Sequence, residues 1–318
     1  MATFSGVSTG SVDVAASSRS GWIALCVVYV LWGSIYLFNR LLITYVPPLL
    51  AGGTRFLTAG LGLTVLVVLF AGPKGLRMSR TQLGTTALSG LLLPAWGNGL
   101  VAVAQTQVAS GLAALLIAVV PLYIVVLRAL GGDRPRRATV GGVVVGLVGL
   151  AVLVLAAPSA GSGGTQGSAW WGPWLVVLAG LGWATGTYAT TRLPVPANPF
   201  ALAAVQMTIG GAVLLTIGSA KGDRPDLATI PAGTWWVWVG AVLATLGGFS
   251  AYAWALRALP VSTVATYAYI NPVIAVLLGV LLVGERFSPG QILGGAIVLV
   301  AVFLVVAAER RPVVAAPA

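Results

Sequence analysis

The sequence predicts an all-α polytopic membrane protein, with ten transmembrane helices arranged as two inverted five-helix repeats. Three observations predict it. Of 318 residues, 58% are hydrophobic and 7% charged, and the mean hydropathy is +1.00, outside the range of soluble domains. The apolar residues fall in runs of about twenty, the length of helix needed to cross a hydrocarbon core roughly 30 Å thick. The second half of the chain also echoes the first at a shift of about 151 residues. Membrane β-strands would alternate apolar and polar residues, and these runs do not.

Taken in order, residues 1–20, "MATFSGVSTGSVDVAASSRS", are rich in Ser, Gly, Thr and Ala and lack the apolar core of a signal peptide. They are expected as a disordered cytoplasmic tail ahead of a retained first span. Charge, Pro and Gly then mark the spans of a first repeat, residues 21–157: about 22–45, 48–70, 82–104, 109–129 and 138–157. The Gly/Ser-rich stretch "PSAGSGGTQGSA", residues 158–169, reads as a linker. The second repeat, residues 170–308, carries spans at about 170–191, 199–219, 234–256, 261–283 and 290–308, and residues 309–318 form a second cytoplasmic tail. Two connections must be tight turns, one around Gln107 and one around Pro260.

Charge supports this count. With the N-terminus inside, the cytoplasmic side receives Arg19, Lys74, Arg77, Arg80, Arg128, Arg134, Arg136, Arg137, Arg192, Arg257, Arg310 and Arg311. The outer loops receive Lys221, Arg224 and Arg286, each offset by Asp223, Asp226 or Glu285. That is the asymmetry of the positive-inside rule, and it puts both termini in the cytoplasm. The tryptophans at 170, 171, 174 and at 235, 236, 238 then both lie at the outer interface, where indoles prefer to sit. The net charge of +11 is therefore topogenic, and no nucleic-acid partner is expected.

The repeat superimposes "LWGSIYLFNR" from Leu31 on "GWATGTYATTR" from Gly182, Pro48 on Pro199, Arg55 on Gln206 and Pro121 on Pro272. Five spans per half, an odd number, require the halves to insert in opposite orientations. Inverted repeats recur in secondary transporters, where two similar halves exchange inward- and outward-open shapes around a midplane site.

Polar groups within spans are costly in hydrocarbon and so face protein or a wet cavity. Trp32, Tyr36 and Arg40 share one face of the first span, and Trp183, Thr187 and Thr191 share the matching face of the sixth. Asn98, Ala102 and Gln105, with Trp96 nearby, mark the third span, and Thr263, Tyr267 and Asn271 the ninth. Such an aromatic and amide lining suits a small amphipathic molecule; the alternative is interhelical hydrogen bonding that merely holds the bundle. The substrate-binding candidates are thus Trp32, Tyr36, Arg55, Trp96, Asn98, Gln105, Trp183, Thr187, Thr263, Tyr267 and Asn271. Arg55, two turns inside its span, needs a partner or a wet cavity: it serves a substrate anion or a gate, or it is held structurally by Glu285 or by helix C-terminal carbonyls. Pro121 and Pro272, mid-span in each half, are hinge or gating candidates, or static kinks. Gly142-x-x-x-Gly146 and Gly290-x-x-x-Gly294 read as close helix packing.

The chain has no histidine, one cysteine (Cys26) and six acids, of which none lies mid-span. Hence no metal, no cofactor and no catalytic residue is expected, and a membrane-embedded enzyme acting on lipid-linked substrates is disfavoured. Facilitated diffusion or exchange is favoured over proton coupling, for which Glu285 is the sole candidate, and sodium coupling through backbone carbonyls is left open.

These residues resemble the EamA family of the drug/metabolite transporter superfamily. The marks are "WGS" at Trp32 to Ser34, "RF" at Arg55-Phe56, "GN" at Gly97-Asn98 and above all "NPVIAVLLGVLLVGERFSPGQILGGAIVLVAV" from Asn271. The likeness spans about residues 22–308. The family commonly has Glu before Pro in both halves; Val120 and Asn271 stand there here, so a carboxylate role does not carry over. Gly132-Asp133-Arg134 stands in the first half where Gly-Glu-Arg would be expected. The resemblance implies a carrier of small metabolites (amino acids, their derivatives, nucleobases or drug-like compounds), often moved outward. It also implies a central cavity lined by the first, third, fourth, sixth, eighth and ninth helices. The expectation is a plasma (inner) membrane secondary transporter, monomer or homodimer, working by alternating access. A channel or a scaffold is the remaining alternative.

Overall fold

Proline and glycine punctuate the apolar runs, and helices begin and end where they fall. The computed structural model describes residues 10–157, 163–259 and 261–309, and no strand occurs among them. Ten helical segments follow one another: α1 Gly10–Leu42, α2 Pro48–Ala71, α3 Arg80–Ala104, α4 Ser110–Leu130 and α5 Arg137–Ala156 make the first half. The second half is α6 Trp171–Arg192, α7 Pro199–Ala220, α8 Ala232–Ala258, α9 Val261–Val264 with Tyr267–Val283, and α10 Pro289–Glu309.

Eight of these are long and apolar enough to cross a bilayer; α6, with Thr187, Thr190 and Thr191, and the shorter main piece of α9 are the other two. Helix α1 runs back to Gly10, into the stretch expected as a disordered tail, while its apolar span is Arg19–Leu42. Residues 1–9 of the expected N-terminal tail, the expected turn at Pro260, residues 158–162 of the linker and residues 310–318 of the C-terminal tail lie outside the described residues.

Local chemistry explains the ends. Pro48 and Pro199 open α2 and α7 at matching repeat positions, where a missing N–H leaves no helix bond unmade. Ser79 and Gln82 form a reciprocal capping box that starts α3, and Ser288 and Gln291 form another at the start of α10. Helix α3 widens to a π-turn over Leu91–Asn98 because Pro94, inside it, removes a donor from the ladder.

The helix pairs obey the repeat. Exchanging the halves maps the contact of α1 with α8 onto that of α6 with α3, and α1 with α9 onto α6 with α4. The pairs α2 with α7, α4 with α9 and α5 with α10 map onto themselves. The glycine spacing foreseen in α5 and α10 lies in this last contact, where a Cβ on Gly294 would come 2.9 Å from the backbone nitrogen of Leu153.

The two halves depart from each other at the prolines. Helix α4 breaks at residues 118–119, and Pro121 sits in the first turn of the segment Val120–Leu130. Pro272 instead lies inside a continuous helix, and the α9 break comes earlier, at residues 265–266. The two prolines are therefore not a matched pair of breaks.

Candidate functional site

A cavity of about 100 Å³ lies between the halves. Helix α1 contributes Trp32, Ile35, Tyr36 and Asn39, at i, i+3, i+4 and i+7 and so on one face. Arg55 and Phe56 enter from α2, Asn98 and Val101 from α3, and Ile117 from α4. The second half supplies Trp183 from α6, Thr245 and Phe249 from α8, and Tyr267 and Asn271 from α9. An adjoining chamber of about 90 Å³ shares Tyr36, Ile117, Tyr267 and Asn271 and reaches Thr187, Pro121 and Pro272.

Rings dominate one wall. Trp32 lies 5.2 Å from Phe249, 5.1 Å from Tyr252 and 5.2 Å from Tyr267, centroid to centroid, and Tyr252 meets Tyr267 edge-on at 5.6 Å. Such tilted and T-shaped contacts fix the rings without filling the space beside them. Asn98 Nδ2 donates to the Leu93 carbonyl at 3.2 Å, within the π-turn that Pro94 imposes. The kink that presents Asn98 is thus partly satisfied by Asn98 itself.

Arg55 is buried, and its Nη1 donates to Thr245 Oγ1 at 2.8 Å. Its guanidinium carbon lies 4.1 Å from the centroid of the Phe56 ring. No carboxylate is within ion-pair distance among the described residues. The expected pair with Glu285 is not formed. The Glu285 carboxylate instead accepts from Ser110 N at 2.6 Å, Ser110 Oγ at 2.7 Å and Gly111 N at 2.9 Å. It thereby caps the N-terminus of α4, where anionic oxygens are favoured by the free amides and the helix dipole. Gly284, at φ +67°, turns the chain so that Glu285 can reach it.

Other sequence candidates fall elsewhere. Trp96 is on the far side of α3, half exposed, with Nε1 donating to the Leu178 carbonyl of α6 at 3.0 Å. Gln105 is buried with Nε2 donating to the Tyr36 carbonyl at 2.9 Å, a tie between α3 and α1 outside the cavity. Thr263 accepts, through its carbonyl, from the Thr266 hydroxyl near the α9 break and lines neither chamber. Arg40 reaches away to the Gly163 carbonyl at 3.1 Å, so Asn39, not Arg40, continues the Trp32–Tyr36 face. Asn39 was within reach of sequence reasoning, since it sits seven residues after Trp32. Thr245 was not, because only Arg55 gives it a purpose.

Both ends of the bundle carry ties. At the tryptophan-bearing end, where Trp170 and Trp236 are among the most exposed rings, the 163–168 loop adds Thr165 N to Gln105 O at 3.3 Å and Gln166 N to Thr106 O at 2.8 Å. At the arginine-bearing end, Asp133 pairs with Arg128 at 3.0 Å and Arg192 at 2.9 Å, linking α4 to α6. Hydrogen bonding from Arg128 and then Arg192 holds the Asp133 carboxyl below the usual range.

A polytopic helical bundle of two interlocked repeats, with a polar and aromatic cavity between them, is the architecture of a membrane transporter of small molecules. The sequence model of the EamA-like transporter family matches residues 19–155 and again 170–307, and the chain belongs to that family. It is a transporter, not an enzyme. The chain is 34% identical over 300 residues to the "Uncharacterized inner membrane transporter YedA" of Escherichia coli (strain K12), covering 92% of this chain and 94% of that one. It is 27% identical over 303 residues to the "Probable terminal-alkyne amino-acid exporter" of Streptantibioticus cattleyicolor, covering 91% and 93%. A solved crystal structure aligns over 91% of this chain and 96% of its own with TM-score 0.60 and 19% identity, a likeness of fold.

Proposed function

We propose that the protein is a secondary transporter that moves small organic metabolites, such as amino acids, their derivatives or drug-like compounds, by alternating access. The supporting observation is the cavity itself, whose lining comes from both halves of an inverted repeat. A relative rocking of the halves would open it to one side at a time. The direction is outward or exchange, in line with the exporter named among the relatives. The location is the inner membrane with both termini in the cytoplasm, following the arginine-rich end and the relative named as an inner membrane transporter. Pro121 and Pro272, both at the adjoining chamber, would ease the motion.

Purified protein in liposomes gives the test. Counterflow of labelled amino acids should be saturable and accelerated by the same unlabelled compound inside. Flux that rises linearly with concentration and ignores the internal compound would indicate a channel.

A further inference from the structure

Four buried polar groups decide what the cavity can hold. Arg55 is 2% exposed and lines the cavity with Nε lacking any hydrogen-bond partner. Asn39, 4% exposed, has Nδ2 free, and Asn271, 8% exposed, has Oδ1 free. Both asparagines line the same cavity. The Thr245 hydroxyl that accepts from Arg55 in turn donates to the Ala241 carbonyl at 2.8 Å, so Arg55 is served by one neutral oxygen and the face of the Phe56 ring, with no counter-charge.

A guanidinium stays protonated in proteins, and an uncompensated charge or unmade hydrogen bond is costly away from bulk water. The cavity therefore presents one positive charge, a free amide donor and a free amide acceptor, with no acidic residue in its lining to offset them.

We propose that the cargo carries a carboxylate that docks on Arg55 and Asn39. This rests on the carrier reading and narrows it to monoanions and zwitterions. The guanidinium fork matches a carboxylate, and Asn39 Nδ2 supplies a further donor. Asn271 Oδ1 accepts from a donor on the same molecule, which a zwitterion's ammonium supplies. With a single cation in the lining, a dianionic phosphate ester would be left half-compensated. A net cation would meet Arg55 with like charge and no counter-charge. The rings around Trp32 take the apolar remainder of the cargo. Gln206, the repeat partner of Arg55, bonds Ser89 Oγ at 2.7 Å instead and does not line the cavity, so the anion site belongs to one half only.

The test uses two series, phenylalanine and leucine, each as the amino acid, the deaminated acid, the carboxamide and the decarboxylated amine, with phenyl phosphate added. Thermal shift of purified protein and counterflow in liposomes are measured for each. The acids should bind, and the amide and amine should be weaker by roughly 10- to 100-fold, the worth of a charge-assisted hydrogen bond. Arg55→Gln should erase that difference, and Arg55→Lys, which keeps the charge but loses the fork, should restore part of it. Should Arg55→Gln fail to fold, Asn39→Ala reports on the same site with a smaller loss confined to the acids. An amide, an amine or phenyl phosphate that binds as well as the acids overturns the proposal and leaves the carrier reading standing. Binding by no acid of either series also overturns it, and the carrier reading then rests on counterflow with uncharged cargo.

Discussion

The Trp183 ring lies so close over Gly97 that a Cβ added there would fall 2.1 Å from Trp183 Cδ1. Shifted by the repeat length, the same relationship recurs with the halves exchanged: a Cβ on Gly248 would fall 2.3 Å from Trp32 Nε1. Trp96 on Gly182 and Leu31 on Gly247 complete the two crossings, α3 with α6 and α1 with α8. Each half places a tryptophan in the cavity by seating it on a glycine of the other half.

Gly97→Ala and Gly248→Ala should each lower the thermal midpoint of the detergent-solubilised protein, an overpacking cost of about 1–3 kcal/mol. Both should also reduce counterflow, because the displaced tryptophan lines the cavity. Gly84→Ala, at an exposed helical position open around its Cβ, should leave counterflow unchanged and the midpoint equal or slightly raised.

Glu285→Gln should destabilise the protein by about 1–3 kcal/mol, since a charged acceptor of three hydrogen bonds at a helix N-terminus becomes a neutral amide. Glu285→Ala should cost more, leaving the Ser110 and Gly111 amides unmet. Thermal midpoints of the two variants, measured side by side, check the order.

Gln206→Ala should cost stability through the lost bond to Ser89 and leave cargo selectivity as it is. A changed ranking of substrates in competition counterflow would show that this residue, too, senses the cargo.

The Asp133 tie has a defined pH window. Its carboxyl is held below the ordinary value, so the stability it contributes is present above the unfolded value of about 3.9 and is lost as pH falls through the folded one. Asp133→Asn should therefore lower the thermal midpoint modestly at pH 7, less at high salt. The difference from the parent should be flat between pH 6 and 8 and vanish in strong acid.

Much of this was legible in the sequence, for physical reasons. Composition and run length announce membrane helices, and the recurrence of Trp32 as Trp183 and Pro48 as Pro199 announces the repeat. Tyr36, Asn98, Tyr267 and Asn271 were legible as cavity residues because polar groups inside hydrocarbon need a reason to be there. Trp96 and Gln105 share that cost but lie outside the cavity: Nε1 of one and Nε2 of the other donate to a backbone carbonyl of another helix, which no one-dimensional pattern reveals. Charge alone suggests Glu285 as one partner for Arg55. The N-terminus of α4 proved the better partner, and recognising it required knowing that α4 begins beside the α9–α10 turn.

The most direct test of alternating access is side-specific labelling of Ile117→Cys, which lies in both chambers, in a Cys26→Ser background. A membrane-impermeant thiol reagent is applied to right-side-out and to inverted vesicles, with and without a saturating transported amino acid. The account predicts labelling from each side in turn and protection by the amino acid from both. A cysteine labelled equally with and without cargo, or reached from one side only under every condition, would contradict it.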